Sequence, residues 1–304
     1  MLTKFWESLG SGLSEKWLSL LGPAFVFWGG GLFLAVGWNG IGALSGRLLG
    51  LTISQQVLVL VSILILLLGS ASFLQQMSYP ILRFLEGYWG TPLRWLKPSL
   101  IKRQKSRIDR WELQWQSLAQ RRSKGNLSTA ESSRFLELER KLHYVPSDPD
   151  DYMPTTLGNI LRMAETQPKL KYGLDPIICW PRLWAFLSEP LREELGQSRT
   201  SMNQGVELWA WGILFLLWSI WSWWAIPVSL VWAWTAYRMT INAATSYADL
   251  VETAFDTQRW DLYKALHFKL PTSTSNEVTS GEEVTEYLWR GTAGRNIRFV
   301  HPKS

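Results

Sequence analysis

Apolar residues are concentrated in two blocks of the chain, Pro23–Leu74 and Leu208–Ala236, and the charged residues lie almost wholly outside them. A bilayer core of about 30 Å needs about 20 mostly apolar residues per helix, so each block is long enough for two passes. Glycines around the first block's only charge, Arg47, favour a tight reversal. Pro227 predicts the break in the second block, because proline lacks an amide donor and clashes with the preceding helical turn. The pattern predicts an all-α protein with four membrane spans in two hairpins and a helical cytoplasmic domain inserted between spans 2 and 3.

The same changes in hydropathy divide the chain into six segments. They are an N-terminal amphipathic segment (1–20), a first transmembrane hairpin (23–75), a basic helical cytoplasmic domain (77–205), a second hairpin (207–240), a cytoplasmic helix (241–270) and a flexible C-terminal tail (271–304). Small polar residues over Thr272–Gly281 predict a linker, and Glu282–Arg290 suit a short amphipathic helix. Asn39 is the one plausible polar site within the spans, which disfavours a secondary transporter.

The distribution of Lys and Arg predicts the topology. Between Met77 and Gly205 there are 20 basic and 14 acidic residues, whereas the two hairpin turns together contain only Arg47. Basic loops stay on the cytoplasmic side, so both termini and the middle domain are predicted to be cytoplasmic, in a bacterial inner (plasma) membrane. The 20 tryptophans fit this setting, because tryptophan prefers the membrane interface.

After Pro92 and Pro98, which interrupt the chain, the stretch from Ser99 to Lys124 is strongly basic, with apolar residues interleaved at mostly helical spacing. Such a cluster just inside a span attracts anionic headgroups by about 1 kcal/mol per basic residue near the surface. Nucleic acid is the rival partner for any basic run, but attachment to a membrane makes lipid the simpler choice. The residues predicted to contact lipid headgroups are Lys102, Arg103, Lys105, Arg107 and Arg110.

Two further helices are predicted in the polar part of the chain. Leu127–Leu142 begins with Ser128 and has Glu131 three residues on, which is the pattern of a capping box. Tyr237–Leu270 has apolar residues at three- and four-residue steps. Its acidic residues Asp249, Glu252, Asp256 and Asp261 can face the basic middle segment.

A polar region follows, carried by Pro154–Arg162 (PTTLGNILR), Tyr172–Asp175 (YGLD) and Trp180–Trp184 (WPRLW). This pattern resembles one in a group of uncharacterised bacterial polytopic membrane proteins. The resemblance covers Tyr79–Leu266 and implies the architecture but no activity. Six residues are predicted to form a partly buried hydrogen-bond and ion-pair hub: Asn159, Arg162, Glu165, Tyr172, Asp175 and Arg182. Charges near apolar surfaces need partners, so the hub either fixes the domain or holds a small anion between Arg162 and Arg182.

Catalytic and cofactor signatures are not found in the sequence. His143, His267 and His301 lie in separate regions without zinc-site spacing, and Cys179 is the only cysteine. We therefore predict no catalytic residues, metal or cofactor, and a role other than that of an enzyme. The favoured function is an integral membrane scaffold or sensor, a homo-oligomer whose cytoplasmic domain binds a protein or anionic partner. The alternative is an oligomeric ion channel or membrane-disrupting effector gated by that domain. The third hypothesis is a lipid-modifying enzyme that uses Asp and Glu near the inner leaflet, for which Asp175→Ala should abolish activity without unfolding the protein.

Overall fold

The computed structural model describes residues 21–37, 40, 42, 46–291 and 299–301, and most of these residues are helical with no strand among them. The predicted all-α class is therefore confirmed. The helices are α1 (Leu21–Gly37), α2 (Ile53–Glu86), α3 (Leu96–Ser123), α4 (Thr129–His143), α5 (Thr156–Tyr172), α6 (Pro176–Leu183), α7 (Glu189–Leu214), α8 (Ala225–Ala265) and α9 (Thr274–Arg290). The predicted amphipathic segment 1–20 and Asn39 lie outside the described residues.

The chain forms two compact units. Met1–Leu82 and Asn203–Thr240 make the first, here called the apolar unit. Arg83–Met202 and Ile241–Ser304 make the second, here called the polar unit.

Alanines and large aromatic side chains share the interior of the apolar unit. Its buried cluster is Ala24, Phe27, Ala71, Leu74, Ala210, Trp211, Phe215 and Ala225. The first residues of α8 pack directly on α7, where the Ser229 hydroxyl donates to the Gly212 carbonyl at 2.5 Å. A Cβ atom at Gly212 would lie only 2.9 Å from the Ala233 nitrogen, so glycine is needed for this approach. Close backbone contact through small residues is how helices associate in a membrane.

Large apolar side chains cover the outside of the same unit. The exposed residues include Val57, Leu58, Leu60, Leu64, Ile65, Trp223, Trp224, Leu230, Val231 and Trp234. Among the described helices, the one that begins at Ile53 is long and apolar enough to cross a membrane, and the apolar helix Leu21–Gly37 is shorter. One such helix supports a membrane location. It does not establish the four spans that the sequence predicts.

The second apolar block is interrupted, as the sequence predicts, but slightly earlier. A 3₁₀ helix over Phe215–Ile220 follows α7, and α8 begins at Ala225. Pro227 therefore lies in the first turn of α8, where the amide that proline lacks has no helical acceptor. The break falls at residues 221–224, just before the predicted position at Pro227.

In the polar unit, α3 and α4 form a hairpin. The Trp115 ring stacks on Phe135 with centroids 5.8 Å apart, and Ile108 and Leu138 are buried. At the start of α4, the Ser128 and Glu131 side chains each bind the other's backbone amide, so the predicted capping box is confirmed. This cap stabilises the helix by about 1 kcal/mol.

Helix α9 packs on α5 and α6, so the predicted flexible tail is wrong over residues 274–290, and the helix predicted at Glu282–Arg290 forms the second half of α9. The predicted linker over Thr272–Gly281 is wrong from Thr274 onward, because α9 begins there. Gly281 is small for a packing reason: a Cβ atom there would lie 1.8 Å from the Tyr172 carbonyl oxygen. Thr285 fixes the contact by donating to the Gly173 carbonyl and accepting from the Asp175 amide, each at 3.0 Å.

Candidate functional site

The PTTLGN sequence forms a junction between the end of α2 and the start of α5. Thr155 caps α5 by accepting the Gly158 amide proton at 2.9 Å, and its hydroxyl donates to the Glu86 carbonyl at 3.0 Å. A Cβ atom at Gly158 would lie 2.1 Å from that same carbonyl oxygen. Asn159 is buried and accepts the Met153 amide proton at 2.7 Å. These contacts give the motif a structural role within the polar unit.

Beside this junction, charged groups gather around α5. Arg162 pairs with Asp151 and lies 3.5 Å from Glu165. The buried carboxylate of Glu86 pairs with Arg83 at 2.9 Å. Burial nevertheless raises the pKa of Glu86 above its ordinary value, since the lost solvation outweighs the effect of Arg83.

Tyr172 belongs to a different cluster, at the far end of α5. Its hydroxyl donates to Asp256, and the Arg259 guanidinium lies 4.2 Å from its ring centroid. Arg259 is itself paired with Glu277 of α9 at 2.7 Å, and both side chains are largely buried. Burial and the hydrogen bond to Asp256 raise the pKa of Tyr172.

Asp261 of α8 pairs with Lys264 of its own helix at 2.9 Å, whereas the other three predicted carboxylates of that helix have partners in the middle segment. Their partners come from the ends of α4 and α5: Tyr144 donates to Asp249 at 2.9 Å, Lys171 pairs with Glu252, and Tyr172 donates to Asp256. The spacing of these three carboxylates places them on one helix face. These carboxylates therefore hold the C-terminal ends of α4 and α5 against α8.

Asp175 and Arg182 make local contacts on α6. Asp175 caps that helix by accepting the Ile177 amide proton at 3.0 Å, and its carboxylate lies 3.7 Å from the Lys169 ammonium. Arg182 donates to the Ile178 carbonyl of its own helix at 2.6 Å. The six predicted hub residues thus occupy three separate places, and Arg162 and Arg182 have different partners within the described part of the chain. The contacts give no support to a shared anion pocket between them.

A second polar feature lies at the start of α3. Arg94, Lys97, Pro98, Ile101, Lys102 and Lys105 line an open cavity of about 510 Å³. We call this set the basic pocket. Its members are spaced by one or three residues, which puts them on one helix face. The sequence prediction included Lys102 and Lys105 but missed Arg94 and Lys97, although the same three- and four-residue steps extend back to them.

The other predicted headgroup residues have different roles. Arg107 donates to the Thr156 hydroxyl at 3.0 Å, so it ties α3 to the α5 junction. Arg110 donates to the Ser106 carbonyl of its own helix at 3.1 Å, and Arg103 is exposed.

The four cations of the basic pocket have no salt-bridge partner among the residues that the structure describes. The basic residues around α5 differ, since Arg162, Lys171 and Arg259 each pair with a carboxylate. Clustered like charges without counter-charges create a positive potential that concentrates anions. The basic pocket is therefore the site best suited to bind an external ligand.

Within the described residues, no group of three His, Cys, Asp or Glu side chains is placed to hold a metal ion. Cys179 is fully buried, and burial raises the pKa of its thiol to about 11. A thiol in that state is a poor nucleophile at neutral pH.

Known proteins give no further guide to this site. No protein-family model, no curated protein and no solved structure matches the chain. The resemblance of PTTLGNILR, YGLD and WPRLW to a group of bacterial membrane proteins stays a prediction.

Proposed function

We propose that this protein is an integral membrane scaffold or sensor whose polar unit binds an anionic partner at the basic pocket. The observation that carries the proposal is the set of four cations, Arg94, Lys97, Lys102 and Lys105, which share one cavity without counter-charges among the described residues. Their favourable effect on a bound anion is about 1 kcal/mol each, or about 4 kcal/mol together.

The apolar unit supports the membrane part of the proposal. A soluble protein rarely exposes a contiguous apolar patch larger than a few hundred Å², whereas this unit exposes Leu, Ile, Val and Trp along α2 and α8. Alanine and glycine occupy several of its helix contacts, together with the rings of Phe27, Trp211 and Phe215. This distribution suits a unit surrounded by lipid, where packing of small residues holds the helices together.

The excess of Lys and Arg supports a cytoplasmic polar unit. The positive-inside rule places such segments on the cytoplasmic side of the membrane. Four spans with both termini inside, in a bacterial inner membrane, are the topology that we propose. A protein partner and a homo-oligomeric state belong to the same proposal.

The anion-binding part can be tested on the full-length protein in detergent with inorganic tripolyphosphate as the probe. We expect a Kd of about 1 mM at low salt, which corresponds to the 4 kcal/mol estimated from the four cations. Binding would be measured from the broadening of the probe's ³¹P NMR lines. It should weaken as salt is added, because the interaction is electrostatic.

Two charge-matched variants make this test specific. Lys102→Glu/Lys105→Glu changes the pocket, and Lys124→Glu/Lys269→Glu makes the same change in net charge at exposed lysines outside it. The first variant should lose binding and the second should keep it. Equal losses in both variants would show that the probe responds to overall charge and not to the pocket, and the proposal would fail.

A further inference from the structure

We infer that the partner of the basic pocket is an anionic phospholipid, whose phosphate binds the cations while its glycerol and first acyl carbons contact the apolar lining residues. This inference rests on the proposed function and specifies its ligand. Three features of the polar unit support it.

The first feature is the apolar part of the pocket's lining. Pro98 and Ile101 line the same cavity as the four cations, so the cavity presents apolar surface beside positive charge. The aliphatic stems of the lysines extend that surface. A free phosphate or a soluble polyanion would gain nothing from it, whereas a lipid has both a charged head and apolar carbons to place there.

The second feature is Trp95, next to Arg94 on the chain. Its side chain is 73% exposed, and its indole N–H already donates to the Pro92 carbonyl at 3.2 Å. The exposed part is therefore an apolar ring whose one polar atom is satisfied. Tryptophan in that state is typical of the membrane interface.

The aromatic character continues on the N-terminal side of Trp95. Phe84 and Tyr88 are also exposed, and the Phe84 ring lies 6.1 Å from that of Trp89. The indole N–H of Trp89 donates to the Phe84 carbonyl at 2.8 Å. Aromatic residues that precede a group of cations match the order of interface and headgroup at the edge of a bilayer.

The third feature is the short connection to α2. Arg94 follows Glu86, the last residue of that helix, by eight residues. Eight residues span at most about 28 Å. Tethering to an apolar helix keeps the pocket at a high effective concentration of lipid, an advantage that a soluble phosphorylated partner or a nucleic acid lacks.

Four cations suit a headgroup with more than one negative charge. Lysine ammonium groups are compact point charges and bind phosphate without a fixed fork geometry. We therefore expect a lipid with a phosphomonoester or two phosphates to bind more tightly than one with a single phosphodiester charge. A zwitterionic lipid should bind least.

The experiment is native mass spectrometry of the full-length protein in detergent, titrated with three short-chain lipids. These are dioctanoyl phosphatidic acid, phosphatidylglycerol and phosphatidylcholine. We expect retention in that order. Lys102→Glu/Lys105→Glu should weaken retention of phosphatidic acid at least about thirtyfold, which is the loss of two favourable charges at about 1 kcal/mol each. Lys124→Glu/Lys269→Glu should leave it unchanged.

Trp95→Ala separates the inference from the proposed function. The residue is exposed, so the variant should fold, and it removes apolar surface without changing charge. Retention of phosphatidic acid should fall while tripolyphosphate binding stays the same. If the pocket variant loses tripolyphosphate but no lipid is preferred, the inference is overturned and the proposed function stands. A single-stranded oligonucleotide that binds more tightly than phosphatidic acid would overturn the inference in the same way. If neither probe responds to the pocket variant, both fail.

Discussion

Helix α9 packs so closely on the end of α5 that adding one methyl group at Gly281 should strongly destabilise the polar unit. In Gly281→Ala, the new Cβ atom would lie 1.8 Å from the Tyr172 carbonyl oxygen and 2.9 Å from the Gly173 carbonyl carbon. These are backbone atoms, which cannot turn aside as a flexible side chain can. Since non-bonded heavy atoms settle at about 3.5 Å, the two helices must separate by about 1.5 Å.

The size of the effect follows from what this separation breaks. Thr285 would move with α9, so its two 3.0 Å hydrogen bonds, to Gly173 and Asp175, would lengthen beyond bonding range. Each contributes about 1 kcal/mol, and overpacking costs about 2 kcal/mol more. The total of about 4 kcal/mol should lower the Tm of a unit of this size by about 8–16 °C.

Cys179 provides a local assay of that unfolding. It is the only cysteine and is fully buried, with its sulfur 3.8 Å from the Thr285 hydroxyl. A thiol-reactive fluorogenic dye added during a thermal ramp therefore reports when this region opens. Gly196→Ala is the matched control, because nothing lies within 4 Å of its Cβ position and alanine favours a helix by about 1 kcal/mol. A Gly281→Ala protein that melts within about 2 °C of the wild type, or a Gly196→Ala protein that loses as much, would refute the packing argument.

Three further predictions follow from the site. Thr155→Val removes both the cap of α5 and the donor to the Glu86 carbonyl, so it should cost about 2 kcal/mol in urea unfolding while Thr155→Ser costs little; equal losses would contradict this. Because burial raises the pKa of Glu86 in the folded state, its carboxyl holds a proton more tightly there than in the unfolded chain. Stability should therefore fall as pH rises from the ordinary value of 4.5 through the folded pKa. In Glu86→Gln, the free energy of unfolding should fall less over the same pH range. A variant with the same pH dependence as the wild type would contradict this role of Glu86. Cys179, with its pKa raised to about 11, should react with a thiol reagent at pH 8 only after denaturant is added; rapid labelling of the folded protein would show that the thiol is accessible.

Local signals in the sequence predicted local structure well. The Ser128–Glu131 pair predicted a cap that depends on four consecutive residues, and the capping box forms. Three acidic residues of α8 could be placed on one face because helical spacing fixes it, although two of their partners are the tyrosines Tyr144 and Tyr172. The polar hub could not be predicted in the same way. Its six residues extend from Asn159 to Arg182. Arg162 and Tyr172 are ten residues apart on α5, so they contact different parts of the polar unit.

Small or rigid residues look like interruptions in a sequence, and two wrong predictions share this cause. Pro98 suggests a break in the chain, so the predicted basic set began after it and left out Arg94 and Lys97. Pro98 in fact lies in the first turn of α3, where proline is tolerated. Gly281 suggests a flexible linker, yet it is the point of closest backbone contact with α5. Both residues are explained by tertiary contact or helix position, which composition alone does not reveal.

The apolar unit has a buried set of residues and an exposed set, and the two sets have different roles. The contacts through Gly212 and the buried alanines specify how the helices fit, while residues such as Leu60 and Leu230 specify only which solvent surrounds them. The outer set should be open to wholesale redesign. Replacing it with Glu, Lys and Gln at the same positions, with the inner set untouched, is a direct route to a water-soluble version of the unit for crystallography or NMR.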